Sequence, residues 1–226
     1  MRTRLVIAID GPSGVGKSTV AQTLAARLGY CYVESGAMYR AVALLALETG
    51  TDLRDSAALG RLAAKAAMRF ETEGSRNRLL LGNRDITEAV RTPEVTEASS
   101  RVSVHAAVRT ELVARQRALG RAGGVVMEGR DIGTKVFPDA GLKLFLDATP
   151  EVRSERRLRD LAGAGAGEIT RARVLQEMQG RDRRDRERDL SPLVPAKDSI
   201  YIDTTPLTAD EVVERILELV ERKIEN

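Results

Sequence analysis

The chain has 226 residues, of which 42% are hydrophobic and 31% charged, and this length allows one α/β domain with an insertion. A net charge of +3 is too small to indicate a nucleic-acid partner, and 3% aromatic residues without tryptophan argue against stacking platforms for single strands. The single cysteine excludes an internal disulfide bond and a cysteine metal cluster. No apolar run approaches the ~20 residues of a membrane span, and the first predicted strand begins too early for a signal peptide. We therefore expect a cytoplasmic protein that binds neither nucleic acid nor a membrane.

The first motif is a glycine-rich loop between a predicted strand and a predicted helix. Residues 5–9 form an apolar run typical of a buried parallel strand, and residues 20–28 have a helical pattern that ends before Gly29. The loop has the spacing G-x-x-x-x-G-K-S and comprises Gly11, Pro12, Ser13, Gly14, Val15, Gly16, Lys17, Ser18 and Thr19. Its backbone N–H groups can point at an anion, Lys17 would reach the β- and γ-phosphates, and Ser18 would offer its hydroxyl to Mg²⁺. The alternative is a glycine turn that binds nothing, but the strand, loop and helix together predict a nucleoside triphosphate site.

A second loop follows the next predicted strand, at residues 30–33. Because ligands bind at the carboxyl ends of the strands of an open parallel sheet, this loop should face the same crevice as the phosphate loop. Ser35, Tyr39 and Arg40 are therefore candidates for binding a second substrate. In the alternative interpretation, Ser35 caps the following helix and the other two side chains are exposed on it.

Residues 56–100 interrupt the alternation of strands and helices. An alanine-rich helix over residues 56–68 is followed by three short strand-like runs, separated by good turn residues, at 69–72, 77–81 and 85–87. Another helix begins with Pro93 at its first position and carries Ser99 and Ser100. We predict a small antiparallel meander between helices, inserted near the crevice, where it can clamp a substrate.

Three more predicted strands complete the core, at residues 123–129, 142–147 and 199–203. A helix over residues 106–121 precedes them, and a capping box at Thr208 opens the last helix. Glu128 lies at the end of a strand, where a phosphate-loop enzyme usually holds a carboxylate near its metal. The alternative for Glu128 is an ion pair with a neighbouring arginine.

Two arginine-bearing helices are predicted on either side of a small-residue segment at 163–167. The first carries Arg153, Arg156, Arg157 and Arg159. The second runs from about residue 170 to residue 188, and the side chains on one of its faces are those of Arg181, Arg184, Asp185 and Arg188. A mobile lid of this kind would bring arginines to a phosphoryl group and exclude water. The alternative is a solvated helix with Arg–Asp pairs.

The charges of the crevice candidates indicate the kind of acceptor. Few of them are acids, and the basic ones are Arg40, Arg109, Arg130, Arg181 and Arg188. A hydroxyl acceptor usually needs a carboxylate to take its proton, whereas a phosphate acceptor is already ionised and needs cations. A nucleoside monophosphate therefore fits best. A kinase for another small phosphorylated acceptor, such as UMP or AMP, and an NTP-regulated RNA-binding module remain as alternatives.

Over nearly its whole length the chain resembles the bacterial cytidylate kinases, which belong to the nucleoside monophosphate kinase group. Besides the predicted meander, the blocks that resemble this family are residues 10–18, 35–40, 128–134, 136–140 and 181–188. The resemblance implies a P-loop fold with a five-stranded parallel sheet, a small inserted nucleotide-binding subdomain and an arginine-rich lid. It also implies transfer of the ATP γ-phosphate to CMP or dCMP with Mg²⁺ held at Ser18. We expect a monomer with a single domain over residues 1–226.

Within that domain the resemblance assigns a core, an insertion and a lid. The core covers residues 1–55, 101–150 and 195–226, the insertion that binds the monophosphate covers residues 56–100, and the lid covers residues 151–190. The boundaries come from the composition of the chain and from the positions of the matching blocks.

The resemblance also implies a role for each candidate residue. Cytosine would be contacted by Ser100, Arg109 and Asp131. The sugar would be held by Arg181 and Asp185. The acceptor phosphate would be held by Arg40, Arg130 and Arg188, with Ser35 and Tyr39 beside it. ATP would be bound by the phosphate loop and Arg157, and the catalytic group would be Lys17, Arg130, Arg181 and Arg188.

His105 and Cys31 receive no role. A lone histidine between two helices is more often a surface or packing residue than a ligand, and a lone cysteine is usually small core filler.

Overall fold

The structure is a computed structural model that describes residues 4–73, 76–163 and 170–225. Its strands are β1 (Val6–Asp10), β2 (Cys31–Glu34), β3 (Met68–Glu73), β4 (Arg76–Leu81), β5 (Arg84–Asp85), β6 (Val125–Gly129), β7 (Leu142–Asp147) and β8 (Ile200–Asp203). Its α-helices are α1 (Lys17–Leu28), α2 (Ser35–Glu48), α3 (Ser56–Lys65), α4 (Pro93–Val102), α5 (Ala106–Gly120), α6 (Pro150–Gly163), α7 (Arg171–Glu187) and α8 (Ala209–Glu225). A 3₁₀ turn covers Ala89–Arg91, and a π-helical turn covers Ile132–Val136.

Five parallel strands form the central sheet in the order β2-β6-β1-β7-β8. Its central strand β1 is apolar on both faces because helices cover the sheet on both sides. Ile7 and Ile9 pack in a core with residues of α1 and α8, whereas Ala8 packs on the other face with the π-helical turn and α5. This sheet, with the small second sheet described next, confirms the predicted fold class.

The second sheet is antiparallel, with the order β3-β4-β5. Its apolar side chains join a separate core formed with α2, α3, α4 and α5, in which Leu59, Leu79 and Leu112 are buried. The predicted meander is therefore present, but two of its boundaries were wrong. The helix predicted over 56–68 ends at Lys65, because Ala66 takes an extended backbone and Met68 already pairs in β3. The third strand is only two residues long.

The arginine-bearing helices α6 and α7 pack against each other, and α7 buries Val174 and Met178. Most of the predicted small-residue hinge, residues 164–167, lies outside the described residues. The capping box at the start of α8 is confirmed, since Thr208 Oγ1 accepts the Glu211 N–H and the Glu211 carboxylate accepts the Thr208 N–H.

Two smaller features complete the fold. Cys31 was predicted as core filler, but it is exposed because it begins β2 at the edge of the sheet. His105 directly precedes α5 without a side-chain cap, and its Nε2 lies 2.9 Å from the carbonyl oxygen of Leu53, in agreement with a packing role. Within the described ranges, none of the helices has both the length and the apolar character needed to cross a membrane.

Candidate active site

The carboxyl ends of β1, β2 and β6 open onto a polar cavity of about 460 Å³. Most of the predicted site residues line it, and these are Ser13, Gly14, Gly16, Lys17, Ser18, Thr19, Ser35, Tyr39, Arg40, Ser100, Arg109, Arg130, Asp131, Arg157, Arg181, Asp185 and Arg188. Gly11, Pro12 and Val15 belong to the phosphate loop but do not line the cavity. The fold therefore places the candidates for both substrates around one space.

The phosphate loop leaves β1 and enters α1 through backbone that only glycine adopts easily. Gly16 precedes α1 with φ +90°, and a Cβ on Gly11 would lie 2.1 Å from the carbonyl oxygen of Leu146. The α1 N-terminus consequently faces the cavity, where its free N–H groups and dipole favour an anion. Lys17 crosses the loop, and its Nζ donates to the carbonyl oxygen of Pro12 at 2.6 Å.

Electrostatics show that this end of the cavity is prepared for negative charge. Burial and the neighbouring Arg130 lower the pKa of Lys17 to about 7, although Glu128 acts in the opposite sense. Burial and Arg130 also lower the pKa of Arg181 to about 10. Among the described residues Arg181 forms no hydrogen bond or ion pair, so its N–H groups could donate to a ligand, and the nearby Asp185 offsets only part of its charge.

Ser18 and Glu128 form the donor set that a magnesium ion could use. Ser18 Oγ donates to Glu128 Oε1 at 2.5 Å, and the described residues contain no cluster of three or more histidine, cysteine, aspartate or glutamate side chains. Mg²⁺ is usually bound by one or two protein oxygens together with substrate phosphates, so a hydroxyl and a carboxylate beside a phosphate loop fit it. Glu128 makes no ion pair with a described arginine, which disfavours the alternative interpretation of this residue.

The far end of the cavity contains a cluster of charged side chains around Asp131. Arg109 forms a buried ion pair with Asp131, and its guanidinium lies 5.5 Å from the centre of the Tyr39 ring. Arg188 Nη2 lies 3.8 Å from the other carboxylate oxygen of Asp131. An ionised carboxylate between two guanidinium groups can accept hydrogen bonds from an exocyclic amine while the arginines donate to ring acceptors.

The end of β2 and the start of α2 contribute another ion pair between an arginine and a carboxylate. Arg40 forms an ion pair with Glu34, and Arg40 lowers the pKa of Glu34 although burial alone would raise it. Ser35 and Tyr39 are buried, and Ser35 begins α2 without capping it, so the interpretation of an exposed helix face was wrong. Arg40 Nε and Arg188 Nη2 are buried and lack hydrogen-bond partners among the described residues, so both N–H groups could donate to an anion, although Arg188 Nη2 also lies within ion-pair distance of Asp131.

Some arginines of α6 and α7 form contacts that stabilise the fold, and others line the cavity. Arg153 pairs with the buried Asp182, and Asp182 also accepts the Ser13 N–H of the phosphate loop at 3.4 Å. Arg156 donates to the carbonyl oxygens of Val15 and Thr204. The remaining candidate on α6, Arg157, lines the cavity.

On α7 the predicted face is only partly correct. Arg181, Asp185 and Arg188 line the cavity, and Asp185 pairs with Arg130 at 2.9 Å. Arg184 is exposed instead, because the helix turns its side chain past the edge of the cavity. The solvated-helix interpretation therefore holds for the outer face of α7 alone.

Sequence reasoning missed part of the cavity wall. Four polar side chains of α4 and the preceding 3₁₀ turn line it beside Ser100, and they are Arg91, Thr96, Ser99 and Ser103. The spacing i, i+3, i+4, i+7 from residue 96 to residue 103 is the signal that could have identified this polar face. Glu34 was also missed, because nothing in its local sequence shows that it will pair with Arg40.

Asp10 ends β1 and holds the loop that follows β6. Its carboxylate accepts the backbone N–H groups of Ile132 at 2.8 Å and Gly133 at 2.7 Å. These two bonds hold the π-helical turn directly after Asp131. Burial raises the pKa of Asp10 from 3.8 to about 6 in spite of them.

We expect the pH dependence of stability to reveal this buried carboxylate. The pKa of Asp10 is higher in the folded protein than in the unfolded chain, so its ionisation destabilises the fold above about pH 6. The free energy of unfolding of the wild type minus that of Asp10→Asn should therefore increase as the pH falls from about 6 to about 4. The increase should reach about 3 kcal/mol, since one pKa unit corresponds to about 1.4 kcal/mol. Urea unfolding at several pH values measures it, and a flat or decreasing difference contradicts the assignment.

A phosphate loop after the central strand of a parallel sheet, with a second cluster of arginines in the same cavity, defines a P-loop kinase. The fold agrees with that of a solved kinase. A gluconokinase from Sinorhizobium meliloti superposes with a TM-score of 0.53 at 17% identity, covering 100% of this chain and 97% of that chain. At this identity the similarity shows the fold alone.

Sequence comparison identifies the family within this class. The family model described as cytidylate kinase matches residues 7–222. The chain is 47% identical over 218 residues to a cytidylate kinase of Exiguobacterium sibiricum, covering 96% of this chain and 97% of the relative. It is 46% identical over 222 residues to a cytidylate kinase of Bacillus pumilus, covering 98% of both. The chain belongs to the cytidylate kinase family, which confirms the resemblance.

Proposed function

We infer that the protein transfers the γ-phosphate of ATP to CMP or dCMP, giving ADP and CDP or dCDP. One observation carries this inference. A phosphate loop and a cluster of guanidinium groups around a single buried carboxylate share one cavity, so a triphosphate and a pyrimidine monophosphate could lie end to end in it. Family membership supports the same reaction, and neither another acceptor nor an RNA-binding role gains support from the relatives.

At the donor end, we propose that the phosphate loop and α1 bind the ATP phosphates and that Arg157 contacts ATP from α6. Ser18 would hold Mg²⁺, with Glu128 beside it. Mg²⁺ supplies charge neutralisation at the β- and γ-phosphate oxygens when it is bound with ATP. Lys17 would contact the same oxygens from inside the loop.

At the acceptor end, the three arginines proposed for the CMP phosphate are Arg40, Arg130 and Arg188. The nitrogens of Arg40 and Arg188 that have no hydrogen bond among the described residues support this role. The side chains proposed to contact cytosine are Ser100, Arg109 and Asp131, with Asp131 accepting from the exocyclic amine. Arg181 and Asp185 would hold the sugar, and Ser35 and Tyr39 would complete the wall beside the phosphate.

The chemistry needs positioning and charge neutralisation more than proton transfer. The acceptor phosphate is already ionised, so no general base is required, and repulsion between the two substrates is the main barrier to their approach. Lys17, Arg130, Arg181 and Arg188 would neutralise that charge and the charge that develops on the transferring group. Helices α6 and α7 lie on the cavity wall, where they can exclude water.

The domain division is part of this proposal. The insertion over residues 56–100 and the lid over residues 151–190 both contribute cavity residues, and the core provides the phosphate loop. Because a single chain supplies every residue invoked here, we propose a monomer that acts in the cytoplasm, where ATP and CMP are available.

A panel of acceptors tests the proposed reaction. With ATP and Mg²⁺, ADP formation should depend on added CMP or dCMP, and kcat/KM should be at least about tenfold lower for UMP and AMP, because neither base matches the donors and acceptors around Asp131. A coupled ADP assay measures each rate at several acceptor concentrations. A panel in which AMP is the best acceptor would overturn the proposal. Steeply salt-dependent RNA binding without turnover would instead favour the RNA-binding alternative.

A further inference from the structure

A buried phenol lies behind the carboxylate that faces Ser18. Tyr32 is only 5% exposed, and its hydroxyl donates to Glu128 Oε1 at 2.9 Å. The same carboxylate oxygen accepts the Ser18 hydroxyl at 2.5 Å. One oxygen of Glu128 therefore binds two hydroxyl groups, one from the core of the sheet and one from the phosphate loop.

The sheet register explains how Tyr32 reaches this position. In the parallel pair of β2 and β6, Tyr32 lies opposite Val126, and Glu34 lies opposite Glu128. Side chains two residues apart share a face of the sheet, so Tyr32 and Glu128 are diagonal neighbours on one face. The Tyr32 ring packs in the core that includes α1, so the position of its hydroxyl is set by buried contacts.

A tyrosine hydroxyl has one hydrogen to donate, and the hydrogen of Tyr32 is directed at Glu128 Oε1.

We propose that Tyr32 is a positioning residue that holds Glu128 so that this carboxylate orients the Ser18 hydroxyl toward the Mg²⁺ accompanying ATP. A serine hydroxyl has one hydrogen and two lone pairs, and a hydrogen committed to Glu128 leaves its lone pairs free for a cation. Glutamate has three side-chain torsions, so without a second anchor the carboxylate would lose its fixed geometry. This inference rests on the proposed function, because it concerns the metal of that site.

Removing the phenolic hydroxyl should weaken the metal-dependent part of nucleotide binding. Tyr32→Phe keeps the ring in the core and deletes one hydrogen bond to Glu128. Calorimetry with ADP, in the presence and absence of Mg²⁺, gives the factor by which Mg²⁺ strengthens binding. We expect that factor to fall by about 5- to 10-fold, while the affinity for ADP without Mg²⁺ and the KM for CMP stay unchanged.

Tyr30 provides a matched control two residues away. Its hydroxyl accepts the Leu5 N–H at 3.1 Å, and Tyr30 does not line the cavity. Tyr30→Phe therefore also deletes one partly buried hydrogen bond, but away from the site. It should leave the Mg²⁺ factor unchanged. In a Glu128→Gln background, Tyr32→Phe should have no further effect on that factor, because its action passes through the carboxylate.

Several results would overturn the proposal. If the Mg²⁺ factor of Tyr32→Phe stays within twofold of the wild-type value, Tyr32 has no positioning role, even if kcat falls. If Tyr30→Phe lowers the Mg²⁺ factor as much as Tyr32→Phe does, the effect is merely structural. Should Tyr32→Phe not fold, Glu128→Gln decides the matter, since an unchanged Mg²⁺ factor there removes the premise. Because ADP binding needs no acceptor, failure of this inference is distinguishable from absence of CMP phosphorylation in the wild type.

Discussion

Replacing Lys17 with methionine is expected to lower kcat for CMP phosphorylation by about 10³-fold, equivalent to about 4 kcal/mol of transition-state stabilisation. Methionine keeps an unbranched side chain but removes the charge that would contact the β- and γ-phosphates. The Lys17 ammonium already lies inside the loop, 2.6 Å from the Pro12 carbonyl oxygen. Burial and Arg130 lower the pKa of Lys17 to about 7, so the charged ammonium costs stability, and a bound triphosphate would offset this cost.

The burial of the Lys17 charge also predicts how Lys17→Met affects stability. Because Lys17→Met removes a buried cation, the variant should unfold at a temperature no lower than the wild type, so a loss of rate cannot be attributed to a loss of fold. Lys135→Met, at an exposed position on the π-helical turn, is the matched control and should keep wild-type rates. Initial rates with saturating ATP and CMP measure the effect. Retention of more than about a tenth of the wild-type kcat would contradict the role given to Lys17.

The second large effect is expected for Arg181, where activity and stability should change in opposite directions. Arg181→Met should lower kcat by about 10²- to 10³-fold, because it removes a guanidinium that neutralises charge between the two substrates. The unliganded variant should be more stable. The pKa of Arg181 is lowered to about 10 by burial and by Arg130, so Arg181 stays charged at neutral pH but burying that charge costs stability. A gain of about 1 kcal/mol would raise Tm by about 2–4 °C in a protein of this size.

Arg184 provides the control on the same helix. It is exposed less than one turn beyond Arg181, so Arg184→Met changes the same charge without touching the cavity and should leave kcat and Tm close to wild type. Thermal unfolding without nucleotide and steady-state kinetics give both quantities. An Arg181→Met variant that is less stable than the wild type would contradict the inferred cost of burying this guanidinium.

The parts of the site that depend on local sequence were predictable. A glycine at positive φ before α1 and a lysine at the helix start belong to one continuous segment, so the spacing of Gly11, Gly16 and Lys17 was enough to indicate a phosphate loop. The parallel strands were predictable for a similar reason. A strand buried on both faces is largely apolar, and β1, β6 and β7 have this pattern apart from acidic residues near their carboxyl ends and Lys143 within β7.

Pairings between distant segments were not predictable. The ion pairs of Arg130 with Asp185 and of Arg153 with Asp182 depend on which helix face meets which loop, and the chain is rich enough in arginine and acid to allow many alternatives. The exposure of Arg184 was missed for the same reason. Helical periodicity defines a face, but the angle at which α7 meets the cavity decides how much of that face is covered.

By itself, the sequence determined that a triphosphate loop, a parallel sheet and an arginine-rich segment occur in one chain, because each depends on residues close together along the chain. Only the tertiary structure decided the order of the strands, with β6 between β1 and β2, and this order brings Glu128 to Ser18 and Asp131 to Arg109. Contacts of that kind join residues 22 and 110 positions apart, and long-range packing alone selects them from the many pairs that a charged chain could form.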